Sequence, residues 1–223
     1  MAQKGAVLEK IGFEYGVDAV AQSGYDGHWW LFRGKWTVKY GNSGVEKGPM
    51  LITAEEAWPG LKDTIFENGI DAAVQSGNGG HWWFFKGDQT VKHGMNGIEE
   101  GPMPLTAAPA WPGLAGTIFE VGVDAATESG SDGHWWFFKR DQTVKHGMNG
   151  LEKGPMLITA AEAWPGLRGT VFEDGVDAAT QSGKSGHWWL FRGDQTVKHG
   201  NSGIEEGPMP ITAQPAWPGL KGI

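Results

Sequence analysis

The chain contains no cysteine. That excludes disulfide bridges, zinc–thiolate centres and cysteine nucleophiles. No uninterrupted apolar run approaches the roughly 18 residues that a membrane-spanning helix needs, so no membrane insertion is expected. Residues 1–10 lack the apolar core of a signal peptide. A soluble, cytoplasmic protein is the default expectation, with non-classical secretion, or secretion after removal of a leader, left open. Basic charge is also scarce. Against 26 Asp and Glu stand 18 Lys and Arg, giving a net charge of −8, and the cations are spread along the chain instead of forming a stripe. Nucleic acid is therefore not an expected partner, because phosphate binding needs a basic footprint. Neutral sugars, polyamines and metal cations are easier guests for an acidic surface. No Gly-x-Ser-x-Gly elbow, His-Glu-x-x-His pair or phosphate-cradling glycine loop occurs, and the chain reads as a non-enzyme.

What is abundant is tryptophan and glycine, 13 and 37 residues of 223, and most of them recur on one period. Asp-Ala begins at Asp18, Asp71, Asp124 and Asp177; His-Trp-Trp at His28, His81, His134 and His187; Trp-Pro-Gly at Trp58, Trp111, Trp164 and Trp217. Each series steps by 53 residues. A fixed period of this size marks a supersecondary unit that buries its apolar face against copies of itself. Such a unit alone is too small for a self-sufficient core, which argues against independent beads.

The second unit is the easiest to punctuate. Ile70 to Val74 is a short apolar strand closed by the turn cluster Ser76-Gly77-Asn78-Gly79-Gly80. His81-Trp82-Trp83-Phe84-Phe85-Lys86 has no polar alternation and reads as a strand buried on both faces. Gly87-Asp88 signals a hairpin into Gln89–His93. Ile98 to Leu105 reads as an outer strand, since Pro102 and Pro104 are tolerated only at an edge. Thr106 to Trp111 reads as a short helix ended by Pro112-Gly113. Four short-linked strands with an apolar second strand describe a propeller blade, and four blades make a closed ring. A solenoid would need polar capping repeats, and the terminal units carry the same apolar motifs as the inner ones. The expected fold is an all-β, four-bladed β-propeller in a single domain, 1–223, with blades at about 11–63, 64–116, 117–169 and 170–223. Residues 1–16 are expected to close the ring, because Ile11–Gly16 align in the period with Thr64–Gly69 and Ile223 aligns with Thr64.

Asp-Ala-Ala opening an inner strand, an aromatic strand running into Phe-Lys-Gly-Asp, and a Pro-containing outer strand leading to Trp-Pro-Gly-Leu together resemble the hemopexin repeat. The residues are Ile70–Ala73, Trp83–Asp88 and Gly101–Leu114 in unit two, and the resemblance extends over residues 11 to 223. It implies a propeller around a narrow axial channel, with Asp18, Asp71, Asp124 and Asp177 at the channel mouth, where main-chain carbonyls hold a cation. Fourfold oxygen ligation suits Ca2+ or Na+. The third motif position is Val20 in the first unit and Ala73, Ala126 and Ala179 in the others. The family's frequent end-to-end disulfide is missing, and a His-Trp is added before the aromatic strand.

That His-Trp pair is the candidate ligand site: Trp29, Trp82, Trp135 and Trp188 as stacking platforms for a pyranose, with His28, His81, His134 and His187 as hydrogen-bonding neighbours. The bland alternative is a core indole and a turn-bonded imidazole. The other histidines, His93, His146 and His199, have Tyr40 as their counterpart in unit one, and heme ligation by these histidines is the less favoured expectation. The leading expectation is a multivalent glycan-binding protein, a lectin with up to four similar sites. The alternatives are a seed-albumin-like or heme-carrier-like protein binding heme or a polyamine once on the axis, and a protein-interaction propeller. Monomer and oligomer are both open.

Overall fold

A computed structural model describes residues 11–24, 27–77, 80–130, 133–183 and 186–223. The expectation for residues 1–10 lies outside the described residues. Each repeat forms one antiparallel sheet whose strands pair in sequence order. The first blade contains β1 (Ala19–Gln22), β2 (Trp29–Arg33), β3 (Trp36–Gly41) and β4 (Gly44–Leu51). The second contains β5 (Ala72–Gln75), β6 (His81–Lys86), β7 (Gln89–Gly94) and β8 (Gly97–Pro104). The third contains β9 (Ala125–Glu128), β10 (Trp135–Lys139), β11 (Gln142–Gly147) and β12 (Gly150–Leu157). The fourth contains β13 (Ala178–Gln181), β14 (His187–Arg192), β15 (Gln195–Gly200) and β16 (Gly203–Pro210). The innermost strands β1, β5, β9 and β13 neighbour one another around the axis and close the ring.

The aromatic strands are buried on both faces because each blade packs between two others. In β6, Trp82 to Phe85 are all buried, and Phe84 and Phe85 point to different seams: Phe84 meets Phe32 of blade one and Phe85 meets Phe137 of blade three. The core is accordingly divided into four clusters, one per seam. The outer strands bear the prolines, as an edge requires, and each carries a register irregularity near its Gly-Pro.

The expected helix at Thr106–Trp111 is not formed. A single 3-10 turn begins at Pro112 and runs to Leu114, so Pro-Gly starts the turn and does not stop it. Proline suits the first turn of a helix, where its missing N–H costs nothing. A second 3-10 turn, Ile118–Val121, follows it. Thr117 Oγ1 accepts from Phe119 N at 3.1 Å and donates to Leu114 O at 2.6 Å, while Glu120 accepts from Gly116 N at 2.6 Å. This capping arrangement locks the linker between blades.

Closure needs no covalent bond. Gly12 N and Phe13 N both donate to Ile223 O, at 2.6 and 3.0 Å. Phe13, Val17, Trp217 and Leu220 are buried in one cluster that spans blades four and one. No helix among the described residues is long and apolar enough to cross a membrane.

Candidate functional site

The His-Trp strand starts do not present open indole faces. Trp29, Trp82, Trp135 and Trp188 are buried, Trp82 to 4% exposure. Each instead bolts its blade to the preceding one. Trp82 Nε1 donates to Gln22 O at 2.9 Å, and Trp29, Trp135 and Trp188 make the same bond to the main chain of Gln181, Gln75 and Glu128. Each ring also meets the Trp of the preceding linker edge-on, as Trp82 meets Trp58 with centroids 5.0 Å apart. The expectation of open stacking platforms is corrected: each indole commits its N–H to a seam, and Trp29, Trp82 and Trp135 leave only a small part of the ring to line the clefts between blades.

The histidines before them are partly exposed and belong to a surface network. His81 Nδ1 lies 2.9 Å from Glu99 of the outer strand, and Lys92 of the strand between them lies 3.8 Å from the same carboxylate. The same three-residue arrangement recurs as His28–Glu46–Lys39, His134–Glu152–Lys145 and His187–Glu205–Lys198. It joins three strands of a blade.

The four aspartates are likewise engaged within their own blades. Asp18, Asp71, Asp124 and Asp177 each accept, through Oδ2, the N–H of Gly34, Gly87, Arg140 and Gly193 in the following hairpin, at 2.6 to 2.8 Å. Asp71 also pairs with Lys86 and Asp124 with Lys139. No group of three or more acidic or histidine side chains converges as a metal site among the described residues. The axial space itself is about 10 Å³ and is lined by Val20, Ala73, Ala126 and Ala179, with Gln22, Gln75, Glu128 and Gln181 at one end. That volume suits a single water-sized guest. Gln22, Gln75 and Gln181 are tied to the loop of the neighbouring blade, for example Gln75 Oε1 to Gly24 N at 2.6 Å. Glu128 replaces glutamine in this ring and is 5% exposed.

The larger concave sites lie at the seams, on the face away from the aspartates. At the seam of blades one and two a cleft of about 400 Å³ is walled by Trp30, Trp58 and Trp82, floored by His93, and lipped by Lys39, Glu56, Met95 and Asn96. The seam of blades two and three has a cleft of about 210 Å³ with Trp83, Trp111, Trp135, His146 and Met148 in the same places. The closing seam has one of about 330 Å³ with Trp189, Trp217, Trp29, Tyr40 and Asn42. The linker glycine sets this geometry, since a Cβ on Gly60 or Gly113 would press on the Nε2 of His93 or His146 at 3.3 or 2.9 Å. Burial holds His93, His146 and His199 below the usual imidazole range, outweighing the nearby Glu99, Glu152 and Glu205, so the rings are neutral at neutral pH. The indole N–H groups of Trp58, Trp111, Trp164 and Trp217 are buried with no acceptor in the protein. The sequence reading missed these linker tryptophans as site residues, although they recur with the same 53-residue period.

No protein-family model matches the chain. Albumin-2 of Lathyrus sativus is 29% identical over 189 residues, 79% of this chain and 80% of that protein. A plant albumin from Cicer arietinum showing hemagglutination superposes with a TM-score of 0.83 at 25% identity, covering 93% of this chain and 97% of that one. A hemopexin-fold protein from cow pea gives 0.80 at 25% identity, with 93% and 97% covered. The chain is thus a hemopexin-like four-bladed β-propeller. Hemopexin-fold seed albumins are its structural neighbours.

Proposed function

We propose that the protein is a multivalent glycan-binding propeller, a non-enzymatic lectin whose binding sites are the clefts between blades. The carrying observation is the repeated cleft of 210 to 400 Å³, walled by three indoles from two blades and their linker and rimmed by polar side chains. Aromatic walls with a few polar groups are what a pyranose requires, its C–H face on the rings and its hydroxyls bonded at the rim. The hemagglutination of the Cicer arietinum albumin supports the reading, because agglutination needs at least two sites on one particle. Shallow sugar sites are weak singly, and a rigid ring that repeats them gains avidity on dense glycans.

A glycan array with labelled protein, run with calcium and again with a chelator, tests this reading. Binding to a defined terminal sugar is expected, together with red-cell agglutination that the free sugar inhibits. A blank array and no agglutination in either buffer would overturn it. Loss of signal in chelator would assign a supporting role to Ca2+, whereas Na+ would be untouched by it.

A second reading is favoured by one residue. Glu128 places a carboxylate in a ring otherwise made of Gln22, Gln75 and Gln181, which suits one cationic head such as a polyamine ammonium. The small axial volume admits such a head far more readily than a porphyrin. Stoichiometry separates the two readings, with one ligand per chain on the axis against several in the clefts.

A further inference from the structure

The clefts are not equivalent. At the seams of blades one and two and of blades two and three, the floor combines an unpartnered indole N–H, from Trp58 or Trp111, with an imidazole, His93 or His146, whose one main-chain contact is with the adjacent Gly94 or Gly147. The two rings are immediate neighbours, with centroids 5.2 and 5.3 Å apart. Above each floor stands a methionine of the turn before the outer strand, Met95 or Met148, 77% and 76% exposed. The closing seam differs at two of these three places. Tyr40 stands where the histidine would be, its hydroxyl oxygen accepting from Gly219 N at 3.3 Å, and Asn42 replaces the methionine. At the seam of blades three and four, His199 Nε2 is already bonded to Pro165 O at 2.7 Å, and the turn carries Asn201.

An indole N–H can only donate, and a neutral imidazole offers one acceptor nitrogen. An exposed thioether side chain rewards an apolar group placed against it. A hydroxyl satisfies either ring but gives the methionine nothing apolar to cover. An acetamido group meets all three, with its carbonyl accepting from the indole, its N–H donating to the imidazole and its methyl against the methionine. We propose that the clefts at the first two seams select acetamido-substituted sugars, and that the closing cleft and the seam of blades three and four do not. This inference rests on the glycan-binding reading and specifies the sugar class for two of its sites.

The test uses the whole chain with its seven methionines carrying 13C-labelled methyl groups. N-acetylglucosamine, N-acetylgalactosamine and their parent hexoses, glucose and galactose, are titrated separately, with saturation-transfer NMR reporting on the sugar. Acetamido sugars should shift the Met95 and Met148 methyl signals and bind about tenfold or more tightly than the hexoses, the usual worth of one well-placed apolar group. Saturation transfer should be strongest at the acetyl methyl. The double variant Met95→Asn, Met148→Asn copies the turns of blades one and four, and an unchanged melting temperature would show that it folds. In it the preference should fall to about that of the hexose. Equal binding of acetamido sugars and hexoses, acetamido binding that leaves both methionine signals in place, or a double variant with full preference would overturn the inference while leaving glycan binding intact. No binding of any sugar, with no agglutination, would overturn both.

Discussion

The closing seam between blades four and one and the seam between blades one and two perform the same task with different connectivity. At the latter the chain runs through, Thr64 and Glu67 cap the linker, and Glu67 accepts from Asp63 N at 2.8 Å. At the closing seam Glu14 occupies the place of Glu67 and accepts from Gly222 N at 3.2 Å, reaching across to the other end of the described chain. The apolar parts correspond as well: Phe13, Val17, Trp217 and Leu220 pack as Phe66, Ile70, Trp58 and Leu61 do. A seam is therefore defined by packing, and covalent continuity is incidental to its shape. Continuity still matters energetically, because an opened closing seam frees two chain ends, whereas an opened inner seam leaves a tethered loop.

The largest effects should come from removing the indole at the centre of a seam. Trp111→Ala and Trp217→Ala each empty a position buried against four or five aromatic rings and should cost about 3–5 kcal/mol. That is a large share of the about 5–15 kcal/mol typical of a domain. If closure is the weaker point, Trp217→Ala gives a lower denaturation midpoint and an expanded radius by small-angle scattering before the blades unfold. Equal midpoints with one cooperative transition would mean that the closing seam is as strong as the others.

Titration offers a second contrast, because three seams bury a histidine where the closing seam buries Tyr40. The histidine pKa values are lowered by burial, so below about pH 6.5 the unfolded chain binds protons that the folded chain refuses. Stability should fall as pH drops through that range, by at most about 1.4 kcal/mol per pH unit for each histidine. Burial raises the pKa of Tyr40, so its contribution is full below pH 10.0 and is lost as pH climbs through the folded value. His93→Tyr should flatten the acid limb, as read by urea unfolding at pH 5 and pH 7. An acid limb unchanged in that variant would place the loss elsewhere.

The architecture was legible because periodicity is a long-range signal. Trp82–Phe85 read correctly as buried on both faces, though His81 at the strand's start is exposed, and Pro102 and Pro104 read as an edge strand. The roles of single aromatic residues were not legible, for a physical reason. Trp82 is fixed by Gln22, 60 residues earlier, and by Trp58 in the linker, and neither spacing is marked by any local pattern. The same limit hid the clefts, whose lining residues come from two blades and a linker. Trp-Pro-Gly was visible as a repeated motif, but it read as the end of a helix when it is a seam floor.

Glu14→Ala against Glu67→Ala is a gentler probe of the two connectivities. Each removes a carboxylate that accepts one exposed linker N–H, worth about 1 kcal/mol as a capping bond. At Glu67 the linker stays tethered, so the loss should be confined to that bond. At Glu14 the bond joins the two ends, and hydrogen exchange at Gly12 and Phe13, both bonded to Ile223 O, should quicken as well. Unchanged exchange there would mean that packing of Phe13 alone holds the seam shut.

The smallest effect belongs to the surface network of His81, Glu99 and Lys92, which is exposed enough that Glu99→Ala should cost less than about 1 kcal/mol. Its geometry nonetheless dictates a glycine. The Glu99 carboxylate lies directly over Gly94, where any Cβ would collide with it. Gly94 is not held at positive φ, so alanine there strains no backbone and acts only by pushing Glu99 away. Gly94→Ala and Glu99→Ala therefore remove the same interaction by two routes. Their combination should cost no more than either alone, with an interaction energy close to the single-variant loss. Strict additivity of the two losses would show that the glycine serves the strand itself. The same cycle at Gly41 and Glu46 in blade one should give the same answer, since that blade's network does not depend on which seam is covalent.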